Sequence, residues 1–265
     1  MPHRIPGEVH LNLTSHPPRF GLLAPTLRSL LLQDTAPDRV TLWLHAPDLA
    51  LLPEPVRVLE RDEGLRIRTV SRDLRSYKKL VPALEQEPEA WHVTADDDIY
   101  YRPDWLGTLL DASRGTPASL LCWRAHLVTD TREGVLRPYR KWRPKTEMRG
   151  PDPRLFPTSG AGVLFPPGSL DRRVVDRDLA MALAPTADDL WWYWMARLSG
   201  TEVRRVGDNP RLITWEGARE DSLWRTNKRE EVGNDAQIEA LLEHFGNPLT
   251  MPPRPGPRSS PPARP

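Results

Sequence analysis

Trp91-His92-Val93-Thr94-Ala95-Asp96-Asp97-Asp98-Ile99-Tyr100-Tyr101-Arg102-Pro103-Asp104-Trp105-Leu106 is the stretch from which the architecture follows. Its first five residues form an apolar, β-branched run and predict a buried strand. Pro103 suits the first turn of a helix, which Trp105, Leu106, Leu109 and Leu110 anchor to a core. The three aspartates therefore fall at the C-terminal end of a strand in a strand–turn–helix, where open α/β sheets bind their ligands. Adjacent carboxylates repel one another unless a cation joins them. Oxygen ligands alone suit Mg²⁺ or Mn²⁺ carrying a phosphate-bearing molecule. Asp-rich turns also cap helices and bond their own backbone, so the motif by itself leaves both readings open.

Upstream, Val9-His10-Leu11-Asn12-Leu13-Thr14 alternates apolar and polar and predicts a first strand, which Ser15-His16-Pro17-Pro18-Arg19 breaks. Leu23, Leu27, Leu30 and Leu31 then make the stripe of an amphipathic helix. Val40 to Leu44 and Leu65 to Val70 predict two further strands, and Ser76 to Leu84 a helix. The order β-α-β-loop-β-α-β is that of a parallel, doubly wound sheet.

Downstream, Ala118 to Trp123 reads as a strand, and Arg124 to Phe156 as loop or short strands rich in Arg, Pro and Trp. Gly160-Ala161-Gly162, ahead of Val163-Leu164-Phe165, permits close backbone approach and unusual dihedrals, or simply a turn. Thr186-Ala187-Asp188-Asp189 opens a helix through Leu190, Trp191, Trp192 and Leu198. Its local pattern reads first as a capping box, although a carboxylate on a first turn can also face a cleft as a base. Val203 to Val206 predicts a late strand. Asn234-Asp235 opens a last helix with Ile238, Leu241, Leu242 and Phe245 on one face and Gly246 as its stop.

Composition sets bounds. The 265 residues suffice for one large α/β domain, expected over 1–247. Residues 248–265, rich in Pro, Arg and Ser, are expected to be a disordered tail. The 37 Lys+Arg nearly balance 36 Asp+Glu, which excludes a generally basic nucleic-acid binder. A mean hydropathy of −0.55 and no apolar run of membrane-spanning length predict a protein without transmembrane segments. No signal-peptide h-region is seen, and the single Cys122 suits a reducing compartment. The expected location is the cytoplasm, or the inner face of the cell membrane as a peripheral protein.

Taken in order, several blocks resemble bacterial GT-A-type glycosyltransferases similar to family 2, of the kind that assemble cell-surface polysaccharides. They are Leu13 to Arg19, Ser29 to Gln33, Pro37 to Leu44, Tyr77-Lys78-Lys79-Leu80, Val93 to Asp98, Arg124-Ala125-His126, Pro157 to Gly168, Ala184 to Trp191 and Asn234-Asp235. The resemblance implies a GT-A-like, mostly parallel sheet flanked by helices, and a nucleotide-sugar donor bound over the N-terminal half. It places the DxD motif on Asp96 to Asp98. Asp98 is then the first choice as ligand of Mn²⁺ or Mg²⁺, with Asp96 and Asp97 set against metal, ribose or donor sugar. Thr14, Arg19 and Lys79 (or Lys78) would lie near the nucleotide, although helix-surface lysines are often merely solvated. Asp189 matches the catalytic base, with Asp188 beside it, and Gly160 to Gly162 would shape the floor. His126, Trp191 and Trp192 are candidates for contact with a glycan or lipid-linked sugar acceptor, a core role being at least as good an account of each tryptophan. His244 is left unassigned.

Two rivals remain. A nucleotidyltransferase would normally carry a Gly-rich, basic phosphate loop after the first strand, and Thr14 to Arg19 contains no glycine. A non-catalytic sugar-binding or scaffold protein has no use for a base, which the Asp188-Asp189 pair argues against.

Overall fold

The computed structural model describes residues 1–116, 118–215 and 233–253. At its centre is a seven-stranded sheet built from β1 (Val9–Thr14), β2 (Arg39–His45), β3 (Leu65–Val70), β4 (Trp91–Thr94), β6 (Leu120–Cys122), β9 (Val163–Phe165) and β10 (Val203–Arg205). The order is β10-β6-β9-β4-β1-β2-β3. All neighbours run parallel except β9, which is antiparallel to both β4 and β6. Two short antiparallel pairs complete the strands: β5 (Ile99–Tyr100) with β11 (Ile213–Thr214), and β7 (Ala125–Leu127) with β8 (Leu155–Pro157). The helices are α1 (Phe20–Leu31), α2 (Glu54–Asp62), α3 (Val81–Gln86), α4 (Trp105–Ser113), α5 (Arg177–Leu183), α6 (Asp188–Leu198) and α7 (Asn234–Phe245).

Strand order reverses between β1 and β4, because β1 leads outward to β2 and β3 while β4 lies on its other side. That reversal opens a crevice at the carboxyl ends of the two strands. Thr14-Ser15 leaves β1 there, and the aspartates leave β4.

Despite its alternation of apolar and polar residues, β1 is buried on both faces. Val9, Leu11 and Leu13 pack under α1 with Leu23, Leu27 and Leu30. On the opposite face His10 and Asn12 are buried too, so their polar groups need partners. Asn12 Nδ2 donates to the His10 carbonyl at 3.0 Å and meets His92 Nδ1 at 3.2 Å, while Trp43 Nε1 donates to Asn12 Oδ1 at 3.0 Å. The polar positions thus form an internal network.

Two expectations are corrected. Ser76 to Leu84 is not one helix: a 3₁₀ turn over Arg75–Lys79 ends at Leu80, and α3 starts anew. Pro82 has no N–H to continue a helical ladder across the break. The turn directs Tyr77, Lys78 and Lys79 inward, all three buried. Secondly, α6 is not amphipathic, since every residue from Leu190 to Arg197 is buried. It is a central helix packed against β8, α7 and the 3₁₀ turn Arg172–Val175. Each of its large apolar side chains contributes about 1.5–3 kcal/mol by leaving water.

The packed chain also runs past 247. Arg197, buried in the last turn of α6, donates to the carbonyls of Pro248 at 3.1 Å and Met251 at 2.7 Å, which ties the start of the expected tail to the core. Residues 254–265 of that tail lie outside the described residues. Among the described residues no helix is long and apolar enough to cross a membrane.

Candidate active site

The acid triplet follows β4 directly, and each carboxylate has a different setting. Asp97 is buried, accepts from Ser15 Oγ at 2.6 Å and lies 3.3 Å from Arg19 Nη1. Asp98 pairs with Arg19 Nη2. Asp96 accepts from Lys79 Nζ at 3.0 Å, although its side chain keeps 37% of its exposure. Asp96 is thus surrounded by protein yet reachable by solvent.

Lys79 joins this triplet to the second acid pair. Its ammonium, 4% exposed, sits 3.0 Å from Asp188 Oδ2 and donates to Ser159 Oγ at 2.7 Å. Ser159 N in turn donates to Asp189 Oδ1 at 3.0 Å. Asp189 is therefore not the capping residue that the local pattern suggested. The cap position is Ala187 and carries no side-chain bond, while Thr186 exchanges hydrogen bonds with Gln237. Asp189 is half-buried and so keeps access to solvent.

The electrostatics divide the acids. Burial works to raise Asp96, but Lys79, Arg19 and Arg124 overcome it and the carboxyl stays below its ordinary value. Burial, reinforced by Asp96 and Asp97 against the pull of Arg19, pushes Asp98 up to about 6. Burial and the charge of Asp188 likewise raise Asp189 to about 6 against Lys79 and Ser159. Burial also raises Asp97, with Arg19 and Ser15 opposing. Lys79 is raised because Asp188, Asp96 and Asp189 outweigh its own desolvation.

Five carboxylates thus face three cations, Lys79, Arg19 and Arg124, a formal excess of two negative charges. That imbalance fits a divalent cation. Among the described residues no three His, Cys, Asp or Glu side chains converge as a complete cage. Mg²⁺ and its kin need only one or two carboxylates when substrate phosphates supply the other oxygens. Asp98 and Asp96 suit that role. A phosphate is matched as well, because Arg19 Nε is buried without an acceptor among the described residues.

The glycine segment meets the acids at close range. A Cβ on Gly160 would lie 2.4 Å from Asp96 Oδ2, and Gly160 O accepts from Tyr101 Oη at 2.9 Å. Gly162 adopts φ +108°, and a Cβ there would strike the Trp105 ring. Gly160→Ala is accordingly expected to displace the Asp96 carboxylate from Lys79 and to lower stability by about 1–3 kcal/mol. Thermal melts of the variant check this, and an unchanged Tm would refute the close-packing account.

Other candidates separate. Thr14 stands at the crevice, its hydroxyl donating to the Trp43 carbonyl at 2.7 Å. Lys78 does not reach the cluster but binds Asp73. Trp191 is core, donating to the Val174 carbonyl at 3.0 Å and wholly buried. Trp192 is buried as well, its indole N–H 3.4 Å from Asp188 Oδ2 and its ring edge-on to Tyr77. His126 sits half-buried on β7, and burial followed by the charge of Arg124 lowers it to about 4. Ser15, Ser159 and Arg124 escaped the sequence reading of roles, since nothing local distinguishes a serine that will face a buried acid. A cavity of about 390 Å³ along the β2–β3 edge is lined by Trp43, Ile67, Arg68 and Thr69, and holds none of these acids.

No protein-family model and no curated protein matches the sequence. Solved structures do resemble the fold. Residues 1–349 of S. aureus TarS align with a TM-score of 0.50 at 14% identity, covering 77% of this chain and 59% of that one. A 4-diphosphocytidyl-2C-methyl-D-erythritol synthase from Anaerococcus prevotii aligns with a TM-score of 0.50 at 13% identity, covering 79% and 92%. A TarS structure in complex with UDP-GlcNAc matches over 43% of the chain with a TM-score of 0.36. The chain spans less than two thirds of the TarS structures it matches. At these identities the likeness is one of fold: GT-A-like, with a mostly parallel central sheet flanked by helices.

Proposed function

We propose that this chain is a metal-dependent, inverting glycosyltransferase that moves a sugar from a nucleotide-sugar donor to a hydroxyl of a glycan or lipid-linked sugar acceptor. The observation that carries the reading is the coupling, through Lys79 and Ser159, of an acid triplet at the sheet's switch point to a second acid pair of which Asp189 keeps access to solvent. Phosphate binding and proton removal need different groups, and the presence of two linked acid groups in one network supports the reading.

In this reading Asp98 and Asp96 would hold Mn²⁺ or Mg²⁺. The bound ion supplies Lewis-acid neutralisation of the departing diphosphate. Arg19 adds its charge and its unpartnered Nε, with Ser15 and Asp97 orienting it. Thr14 borders the nucleotide. Asp189 takes the proton of the acceptor hydroxyl as that oxygen forms its bond to the anomeric carbon. The bond from that carbon to the diphosphate breaks, with its electron pair leaving on the diphosphate. One displacement inverts the centre. Lys79 holds Asp188 in place at 3.0 Å, and the charge of Asp188 helps raise Asp189 towards the working pH of a base. The nucleotidyltransferase alternative is disfavoured because Pro17 and Pro18 offer no N–H to a phosphate after β1.

Calorimetric titration with nucleoside diphosphates, with and without Mn²⁺, tests the reading on wild type and Asp98→Asn. One nucleotide is expected to bind tightly to wild type only with Mn²⁺, and Asp98→Asn is expected to lose that binding. The same variant is expected to be the more stable protein at pH 7. A carboxyl raised from 3.8 to about 6 binds its proton more tightly in the fold, so it lowers stability as pH rises from about 4 to about 6. The gain for Asn is about 1–2 kcal/mol after allowance for solvent screening, and it shrinks towards pH 4. A folded wild type that binds no nucleotide would point to the non-catalytic alternative.

A further inference from the structure

The residues from Gly134 to Thr146 include Arg137, Arg140, Lys141, Arg143 and Lys145 and no acid, in a chain whose formal net charge is only +1. All five are exposed. Among the described residues, the side chains of Arg140, Lys141, Arg143 and Lys145 form no ion pair. The backbone beneath them is firmly held. Leu127 and Arg143 exchange backbone hydrogen bonds at 2.8 and 3.0 Å, which lays the segment against β7. Trp142 is buried and donates to the Arg137 carbonyl at 2.9 Å. With Trp142 pointing inward, its neighbours Lys141 and Arg143 face water.

This stripe leads to the proposed base. Thr146 N donates to the Ala125 carbonyl at 3.0 Å, and Lys145 N reaches His126 Nδ1 at 3.3 Å. The next residue back, Arg124, donates to Thr158 Oγ1 at 2.7 Å, and Thr158 precedes Ser159, whose N–H holds Asp189. Tyr139, within the stripe, stacks near His126 and is close enough to Asp189 to feel its charge. Cationic surface and base are thus joined through a few directly bonded residues. Unpaired like charges held side by side repel one another and attract an extended anion. Lys141, Arg143 and Lys145 are held beside Thr129, Leu127 and His126 in turn, so the cations form a row along β7, which suits repeated charges better than one diphosphate, which needs cations that converge.

We propose that the acceptor is a polyanionic glycan bearing phosphate or carboxylate groups along its length, which lies on the 137–145 stripe with its reacting hydroxyl at Asp189. This rests on the glycosyltransferase reading above.

The test compares wild type with Arg140→Gln/Lys141→Gln/Arg143→Gln/Lys145→Gln and, as a control at the far sheet edge, Arg66→Gln/Arg68→Gln. Probes are poly(glycerol phosphate), polygalacturonate, neutral dextran and phosphatidylglycerol vesicles, alongside the nucleotide titration with Mn²⁺. Wild type is expected to bind both polyanions and not dextran, and to weaken with added salt. The fourfold variant is expected to lose about tenfold or more in polyanion affinity with nucleotide affinity unchanged. The control is expected to keep both. Equal binding of dextran, full affinity in the fourfold variant, or the same loss in the control would overturn the proposal. So would vesicle binding that exceeds polymer binding and depends on the four residues, because the stripe would then be a membrane contact. Polyanion binding without any nucleotide binding would sink the glycosyltransferase reading itself and leave the stripe with no acceptor to place.

Discussion

Asp189→Asn is expected to lower sugar transfer by about 10²–10⁴-fold while leaving Mn²⁺-dependent donor binding within about twofold of wild type. The asymmetry follows from where Asp189 sits. It holds no cation directly, its polar partner being the Ser159 N–H at 3.0 Å, and an asparagine oxygen can accept that bond equally well. What asparagine cannot do is take a proton. The wild-type profile carries a matching signature: with the Asp189 carboxyl at about 6, the rate should rise roughly tenfold per pH unit below that value and level off above it. Measuring kcat and donor affinity in parallel separates the two effects. A variant that loses donor binding and transfer to the same degree would assign Asp189 to binding and remove the base from the mechanism.

Lys79→Met is the second large effect, and it falls on stability. Methionine fills a similar volume, so the packing defect is small. The charge defect is not, because Asp96 and Asp188 each lose an ammonium 3.0 Å away and are left facing each other. Removing one member of a buried ion-paired group costs about 3–5 kcal/mol. The open exposure of Asp96 places this case near 3, or a fall in Tm of roughly 6–12 °C. The pH dependence has a definite sign. Wild-type Asp96, held below its ordinary value by Lys79, stays charged from pH 7 to pH 4, whereas in the variant burial is no longer opposed by Lys79 and protonation relieves the unpaired acids within that window. The gap between wild type and variant should therefore narrow from pH 7 to pH 4. Thermal melts at both values decide it. A gap that is absent at pH 7, or equally wide at pH 4, would show that Lys79 acts through packing.

Much of the architecture was readable in the chain because it rests on local regularities. The strand ending in three aspartates, the leucine stripe of α1, and α7 with its stop at Gly246 come from period and punctuation alone. Gly160 and Gly162 also did what their residue type permits: one allows a close approach, the other takes a positive φ. The misreadings have a common physical origin. A 3₁₀ turn and a helix share a similar pattern, yet they direct Lys79 to opposite fates, buried among acids or solvated. A Thr-x-x-Asp sequence is a capping box only if no better partner competes, and here Gln237 takes Thr186 while Ser159 takes Asp189.

By itself, then, the sequence determined the elements and put acids at the ends of a strand and of a helix, because those features depend on neighbours a few residues away. The tertiary structure alone decided that Asp96 and Asp188, 92 positions apart in the chain, share one lysine. That outcome depends on the strand order opening a crevice between β1 and β4, with α6 buried alongside. A carboxylate's role is set by which charges lie within a few ångströms of it, and that distance is a property of the folded sheet rather than of spacing along the chain.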